Sequence, residues 1–231
     1  MKQLRSMANP KNVVGMARFG ITGREVLGIS IKDLRLLAKE IKDAEPKAKK
    51  SEAMHELALK LFNTGIREAK ILASYIDDPA KVLESQLDKW VNELESWDEV
   101  DQVCGLFIKS SFSLKKILEW VKREEEFVKR TPFSMIACIS IRDKKKPDKE
   151  FDLFFKLIKE HSIDNRNYVR KAVNWALRNI GKRNKNLNKE AIKVAEQLSL
   201  SSDKTARWIG KHALKELTSE KFQNRLKKRS L

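Results

Sequence analysis

One acidic and one aromatic side chain lie close together near the start of a predicted helix, within the segment Leu94–Cys104. Trp97 and Asp101 are four residues apart, so a helix places them on the same side. The apolar stripe of this helix leaves the pair at its margin; it comprises Val100, Val103, Cys104 and Phe107. A carboxylate beside an indole can stabilise positive charge that develops during a reaction.

The start of this helix carries a capping-box pattern, with Ser96 followed three residues later by Glu99. Each of these two side chains is expected to accept a hydrogen bond from the backbone N–H of the other residue. The same segment also allows a purely structural interpretation. In that interpretation, Asp101 favours the helix dipole and Trp97 is a half-buried packing residue.

Two further tryptophans lie on the basic sides of predicted helices. In the helix predicted for Asn165–Lys182, Trp175 points away from the apolar stripe, on a face with Lys171, Arg178 and Lys182. In a later helix, Trp208 shares its face with Lys204, Lys211 and Lys215. Cations that hold phosphates and a ring that stacks on a base would suit nucleic acid. Alternatively, each indole packs against a neighbouring helix beneath the lysine stems.

Composition points to a nucleic-acid partner and away from an all-β fold. The 231 residues include 49 Lys or Arg and 32 Asp or Glu, which gives a net charge of +17 and implies a polyanionic partner. Residues 161–231 hold 18 of the basic and only 6 of the acidic side chains. With 8 Gly and 5 Pro, the chain has few residues for the tight turns of a β-sandwich or barrel.

Cysteine usage and hydropathy indicate the compartment. Cys104 and Cys138 fall within apolar helical patterns, which is typical of buried free thiols in a reducing environment. The three histidines show no metal-ligand spacing, and no apolar run is long enough to cross a bilayer. We therefore expect a cytoplasmic protein without metal or membrane contact, associated with the nucleoid when it is bound to DNA.

Helical periodicity extends along nearly the whole chain. We predict about eleven helices of roughly 10–17 residues with short connections and no alternating strand. Pairs of antiparallel helices at a spacing of about 35–45 residues indicate an all-α, HEAT-like α-solenoid. A compact helical bundle is the alternative. Residues 1–15 are expected to form a weakly ordered arm, and residues 16–231 a single domain.

Local signals predict where several helices begin. Ser30 is expected to cap a helix over Ile31–Lys42, and Asp78–Pro79, Asn188 and Asp203 are each expected to open another. Pro132 falls inside the helical pattern of residues 124–141. A proline there either begins a new helix or kinks an existing one.

Five segments, in the same order along the chain, resemble the AlkD-like DNA alkylation repair family. They are Leu27–Lys39, Thr64–Ala69, Ser96–Asp101, Glu126–Arg130 and Tyr168–Arg178. The resemblance extends from about Met16 to about Glu220. It implies a HEAT-like α-solenoid whose concave basic face holds duplex DNA. It also implies a monomeric, monofunctional glycosylase that removes cationic N3- or N7-alkylated purines without a metal or cofactor.

The resemblance also implies roles for individual residues. The catalytic carboxylate corresponds to Asp101, the site arginine to Arg130, and the two active-site indoles to Trp97 and Trp175. Pro132, two residues after that arginine, departs from the family's pattern. The expected DNA contacts come from the basic faces of two helices: Lys171, Arg178, Lys182, Arg170, Trp208 and Lys211.

Other functions remain open at this stage. A HEAT-like protein could grip bent, branched or damaged DNA without chemistry, or use the same basic groove for RNA or as a protein scaffold. The combination of Trp97, Asp101 and Trp175 favours the enzyme, because a pure binder needs no acid in the path of an anionic ligand.

Overall fold

The computed structural model describes residues 1–46 and 50–228. Within these ranges the chain forms a succession of α-helices. In the first half they are α1 Lys2–Ser6, α2 Pro10–Arg18, α3 Ile31–Ala44, α4 Lys50–Phe62, α5 Arg67–Ile76, α6 Glu84–Asn92, α7 Trp97–Phe107 and α8 Ser113–Trp120. They continue as α9 Glu126–Arg142, α10 Phe151–Glu160, α11 Asn167–Gly181, α12 Lys185–Ser199, α13 Lys204–Leu217 and α14 Glu220–Lys228, with a 3₁₀ turn at Asp148–Glu150.

Side-chain caps fix several of the predicted helix starts. The Ser30 hydroxyl accepts a hydrogen bond from the backbone N–H of Asp33 at 3.2 Å, as predicted for the start of α3. At the start of α13, Asp203 accepts from the backbone N–H groups of Thr205 and Ala206 at 2.8 and 2.9 Å. Short polar residues therefore satisfy N–H groups that have no partner inside the helix.

Two predicted starts were wrong. Residues 78–81 form a turn in which Asp78 accepts from the backbone N–H of Ala80 at 3.0 Å, and α6 begins only at Glu84. An aspartate that bonds its own following backbone competes with helix formation. The helix predicted to begin at Asn188 is α12. It begins at Lys185 instead, because Asn184 caps it by accepting from Leu187 N–H at 2.9 Å.

Helix α9 passes through Pro132 without interruption, so the alternative in which Thr131–Pro132 opens a new helix was wrong. Proline lacks the N–H that would bond the carbonyl four residues earlier. The neighbouring Thr131 hydroxyl donates to the carbonyl of Phe127 at 2.7 Å. Pro132 itself is buried, so packing around this part of the helix offsets the missing backbone bond.

The helices form two compact units, which we call the first unit (residues 1–116) and the second unit (residues 117–231). In the first unit α5 packs against α3, α4 and α7. The core of the first unit includes Trp90, stacked on Phe62 with ring centroids 4.0 Å apart. In the second unit α11 packs against α9, α10, α12 and α13. The described residues contain no strand beyond one isolated bridge, which confirms the all-α prediction.

The N-terminal region is more regular than its sequence indicates. The arm predicted for residues 1–15 contains α1 and the first part of α2. None of the residues of α2 is buried, whereas Leu4 of α1 is. The predicted single domain over residues 16–231 includes residues 47–49 and 229–231, which lie outside the described residues.

Candidate active site and nucleic-acid surfaces

The first turn of α7 is held by the predicted serine cap and a displaced glutamate contact. The Ser96 hydroxyl accepts from the backbone N–H of Glu99 at 3.3 Å. The Glu99 carboxylate accepts from the N–H of Glu95 at 2.9 Å, one residue before the position that the capping box predicts. Burial raises the pKa of Glu99, and the ammonium group of Lys70, 3.4 Å away, acts in the opposite direction.

Trp97 and Asp101 lie one turn apart on α7, and both are half-buried. The indole N–H of Trp97 donates to the backbone carbonyl of Phe19 at 2.9 Å. This bond fixes the plane of the indole and attaches the end of α2 to α7. Phe19 itself is 73% exposed. The residue that accepts the hydrogen bond from Trp97 therefore also carries an accessible aromatic ring.

The segment between α2 and α3 is held by a buried carboxylate. Glu68 accepts hydrogen bonds from the backbone N–H groups of Leu27 and Gly28, at 2.8 and 2.9 Å. Gly28 has a φ of 77°, and a Cβ atom there would lie 2.2 Å from the carbonyl oxygen of Asn9. Only glycine therefore fits this close approach between the segment and the start of α2.

Arg67 connects this carboxylate to the first turn of α7. Its guanidinium donates to Glu68 at 2.8 Å, and to Asp98 through two nitrogens, with Nε at 2.9 Å. All three side chains are buried, so each charge depends on the others for stabilisation. Because Asp98 directly follows Trp97, this network positions the candidate active-site turn.

In the second unit, Arg130 is only 5% exposed. Its guanidinium donates to the backbone carbonyl of Tyr168 at 2.7 Å, close to the start of α11. Glu126, one turn earlier on α9, accepts from the Tyr168 N–H at 3.0 Å. Both contacts attach α9 to α11, so the structure gives Arg130 a positioning contact inside the second unit.

Two of the predicted DNA contacts are already paired with an acid. Glu216 on α13 forms salt bridges with both Arg178 and Lys182 of α11. Although burial alone favours the neutral acid, hydrogen bonds from Lys182 and Arg178 hold the pKa of Glu216 below its ordinary value. Glu216 is therefore ionised at neutral pH. Lys171 is exposed, and Trp175 is half-buried.

Trp208 is partly covered by other side chains of the second unit. The guanidinium carbon of Arg170 lies 5.0 Å from the centroid of the Trp208 ring, a cation–π contact. On the same helix, the His212 ring lies 4.3 Å from the Trp208 ring, centroid to centroid. Lys211 is exposed. The indole is half-buried, so this surface combines a partly accessible aromatic ring with cations, as a nucleic-acid surface requires.

Neutralising Glu216 should strengthen DNA binding. Glu216→Gln would release Arg178 and Lys182 to bind phosphates. We expect tighter duplex binding and a slope of log affinity against log salt that is steeper by up to about one unit for each additional phosphate bound. Fluorescence anisotropy over a salt series measures both.

The control for this experiment is Glu196→Gln, which changes the net charge equally at an exposed carboxylate on α12. An equal gain from the two variants would show that general charge, and not the release of Arg178 and Lys182, strengthens binding.

The sequence did not indicate a polar cluster in the first unit that joins Arg35, Tyr75 and Gln102 from α3, α5 and α7. The hydroxyl of Tyr75 donates to the Gln102 side-chain carbonyl, and Arg35 approaches the same oxygen at 3.4 Å. These residues are separated by 27 to 67 positions, so no local pattern could reveal the cluster.

Neither a metal-binding group nor a membrane-spanning helix occurs within the described ranges. No group of three or more His, Cys, Asp or Glu side chains there has an arrangement that could hold a metal ion. No helix among the described residues has the length and apolar character needed to span a membrane. Both cysteines, Cys104 and Cys138, are buried free thiols.

Comparison with known proteins identifies the family and the fold. A family model described as DNA alkylation repair enzyme matches residues 1–217. One solved structure superposes with a TM-score of 0.75 at 18% identity, covering 98% of this chain and 94% of its own. It represents a new family of proteins related to the HEAT-like repeat DNA glycosylases with affinity for branched DNA structures. This likeness confirms the predicted HEAT-like repeat fold.

A designed armadillo repeat protein matches at 14% identity over 80% of this chain and 92% of its own, with a TM-score of 0.35. No curated protein matches the sequence.

Proposed function

Since this chain belongs to the DNA alkylation repair enzyme family, we propose that it is a DNA glycosylase that hydrolyses the N-glycosidic bond of cationic N3- or N7-alkylated purines in duplex DNA. The observation that carries the proposal is the pair Trp97 and Asp101 on the first turns of α7. The carboxylate is half-buried, one helical turn after the indole.

The proposed chemistry starts from the charge of the lesion. An alkylated purine is already cationic, so it leaves without a proton delivered by a general acid. Cleavage of its glycosidic bond builds positive charge on the sugar. The Asp101 carboxylate would stabilise that charge where it develops and orient the attacking water. The face of Trp97 would attract the same cation, with a contribution of about 0.5–2 kcal/mol.

The fixed orientation of the indole suits this role. Because the Trp97 N–H donates to the Phe19 carbonyl, its ring does not have to be ordered when substrate binds. The buried network of Arg67, Glu68 and Asp98 restrains the same turn of α7. Preorganised groups of this kind stabilise a transition state without reorganising during the reaction.

DNA as the partner is supported by the charge of the chain and by a surface of the second unit. The net charge is +17, and the second unit exposes Lys171 and Lys211 and half-exposes Trp208. We propose that these residues contact the DNA, together with Arg170, Trp175 and, in competition with Glu216, Arg178 and Lys182.

A second candidate function is recognition of branched DNA without base removal. It is favoured by the solved structure with the same fold, whose family has affinity for branched DNA structures. In this alternative Asp101 would contribute no chemistry, and the cationic surfaces would account for the whole function.

An excision assay separates the two candidates. The intact chain is incubated with duplex DNA that carries a single N7-methylguanine, and the released base is measured by chromatography. We expect release well above spontaneous depurination. If release equals the spontaneous rate while a four-way junction binds more tightly than a duplex of equal length, the branched-DNA function replaces the glycosylase.

A further inference from the structure

Apart from Lys32 in the first turn of α3, four cations along α3 and α7 of the first unit have no carboxylate at salt-bridge distance among the described residues. They are Arg35, Lys39 and Lys42 on α3, and Lys109 just beyond the end of α7. Three buried basic residues of the same unit differ, since Arg67, Lys70 and Lys116 each form salt bridges. We call these four cations, with Tyr75 and Gln102, the α3–α7 track.

One end of the track is the cluster around Gln102. Its side-chain oxygen accepts from Tyr75 and faces Arg35 Nη2 at 3.4 Å, and the Arg35 guanidinium lies 5.8 Å from the Tyr75 ring centroid. With the amide oxygen occupied, the amide nitrogen of Gln102 is the end that can donate to a ligand. The guanidinium has further N–H donors, since it uses only Nη2 in this contact.

The other end lies two helical turns away. Lys42 follows Arg35 by seven residues on α3, and Lys109 follows Gln102 by seven residues along α7 and its last turn. Burial and then the ammonium groups of Lys109 and Lys50 lower the pKa of Lys42, and Asp78 and Asp77 oppose this weakly. Like charges therefore meet at this end.

The contacts at the two ends, seven residues apart on each helix, indicate that α3 and α7 run in the same direction, and α5 packs against each of them. Two turns of helix correspond to about 10.5 Å. This exceeds the axial rise of one nucleotide, about 3.4 Å, so the two ends of the track would contact different phosphates of a strand. Lys39, exposed and one turn from Arg35, lies between the two ends.

We propose that the α3–α7 track binds the sugar–phosphate backbone of one DNA strand, with Arg35 and Gln102 donating to one phosphate and Lys42 and Lys109 to another. The inference takes one premise from the proposed function, which is that the protein binds DNA. Asp101 directly precedes Gln102 on α7, so the track begins within one residue of the candidate carboxylate along the helix. The track then positions the strand on which the proposed chemistry occurs.

The test measures binding of undamaged duplex DNA over a salt series. Arg35→Gln and Lys109→Gln should each reduce the slope of log affinity against log salt by up to about 0.9. Lys60→Gln, on α4, is the control, because Lys60 is exposed and lies 3.9 Å from Glu56. It removes the same charge and should leave the slope within experimental error.

Neutral methylphosphonate linkages locate the phosphates that the track binds. Each linkage that weakens wild-type binding should have no effect on the variant that lacks the corresponding cation. Arg35→Gln and Lys109→Gln should become insensitive at different linkages of the same strand. Wild-type slopes in both variants, or an equal fall in Lys60→Gln, would overturn the track. Circular dichroism and the thermal midpoint establish that each variant is folded.

Base removal is not part of this readout, so the two proposals fail separately. A chain without excision whose slopes fall as expected would keep the track and lose the glycosylase. A chain that excises the base but keeps wild-type slopes in both variants would lose only the track.

Discussion

Replacing Asp101 by Asn is expected to reduce release of N7-methylguanine at least about 100-fold, with little change in the thermal midpoint. The amide has nearly the same shape but cannot neutralise a developing cation, and a loss of about 100-fold corresponds to about 2.7 kcal/mol of transition-state stabilisation. DNA affinity should be unchanged or slightly higher, because one negative charge is removed near a polyanion. Single-turnover excision and anisotropy measure the two effects.

Glu93→Gln is the matched control, since it neutralises another half-buried carboxylate of the first unit, four residues before Trp97. It should excise at the wild-type rate. If Asp101→Asn also excises at that rate, Asp101 is not the catalytic carboxylate. A large fall in the midpoint of Asp101→Asn would instead assign the residue a structural role.

Removing Arg67 should cause the largest loss of stability. Arg67→Ala leaves the buried carboxylates of Glu68 and Asp98 without their cation. Breaking a buried pair in this way typically costs about 3–5 kcal/mol. The segment held by Glu68 and the first turn of α7 should loosen together. Urea unfolding followed by circular dichroism measures the loss.

Arg5→Ala provides the comparison for Arg67→Ala. Arg5 also pairs with a glutamate, Glu25, at 2.7 Å, but both side chains are largely exposed. Exposed pairs contribute less than about 1 kcal/mol. Equal losses in the two variants would contradict the assignment of Arg67 as the buried centre of this network.

Local chemistry allowed much of the helical fold to be predicted. Ser30, Ser96 and Asp203 cap the helices that follow them, because each short polar side chain accepts a hydrogen bond from a backbone N–H of the first turn. The signal failed at Asp78, whose side chain bonds the following backbone in a turn instead of opening a helix. Cap residues and turn residues are the same amino acids, and the local sequence does not distinguish them.

The candidate site was less predictable, because its partners are distant in sequence. The spacing of Trp97 and Asp101 was evident, but the bond from Trp97 to Phe19 joins residues 78 positions apart. The basic face of α11 was also evident, whereas Glu216, 38 positions from Arg178, was not recognisable as its counterion. Sequence periodicity identifies a charged face but not the charge opposite it.

If the protein acts on DNA as proposed, the pairing of Glu216 with Arg178 and Lys182 has a consequence for its search along the duplex. A phosphate that approaches these cations must displace a carboxylate that already satisfies them, so each site along the duplex offers a shallow energy well. Shallow wells shorten the dwell time at undamaged sequence and let a protein slide or hop rapidly. We therefore expect that this internal anion shortens each encounter with undamaged DNA, so that one molecule samples more separate stretches in a given time.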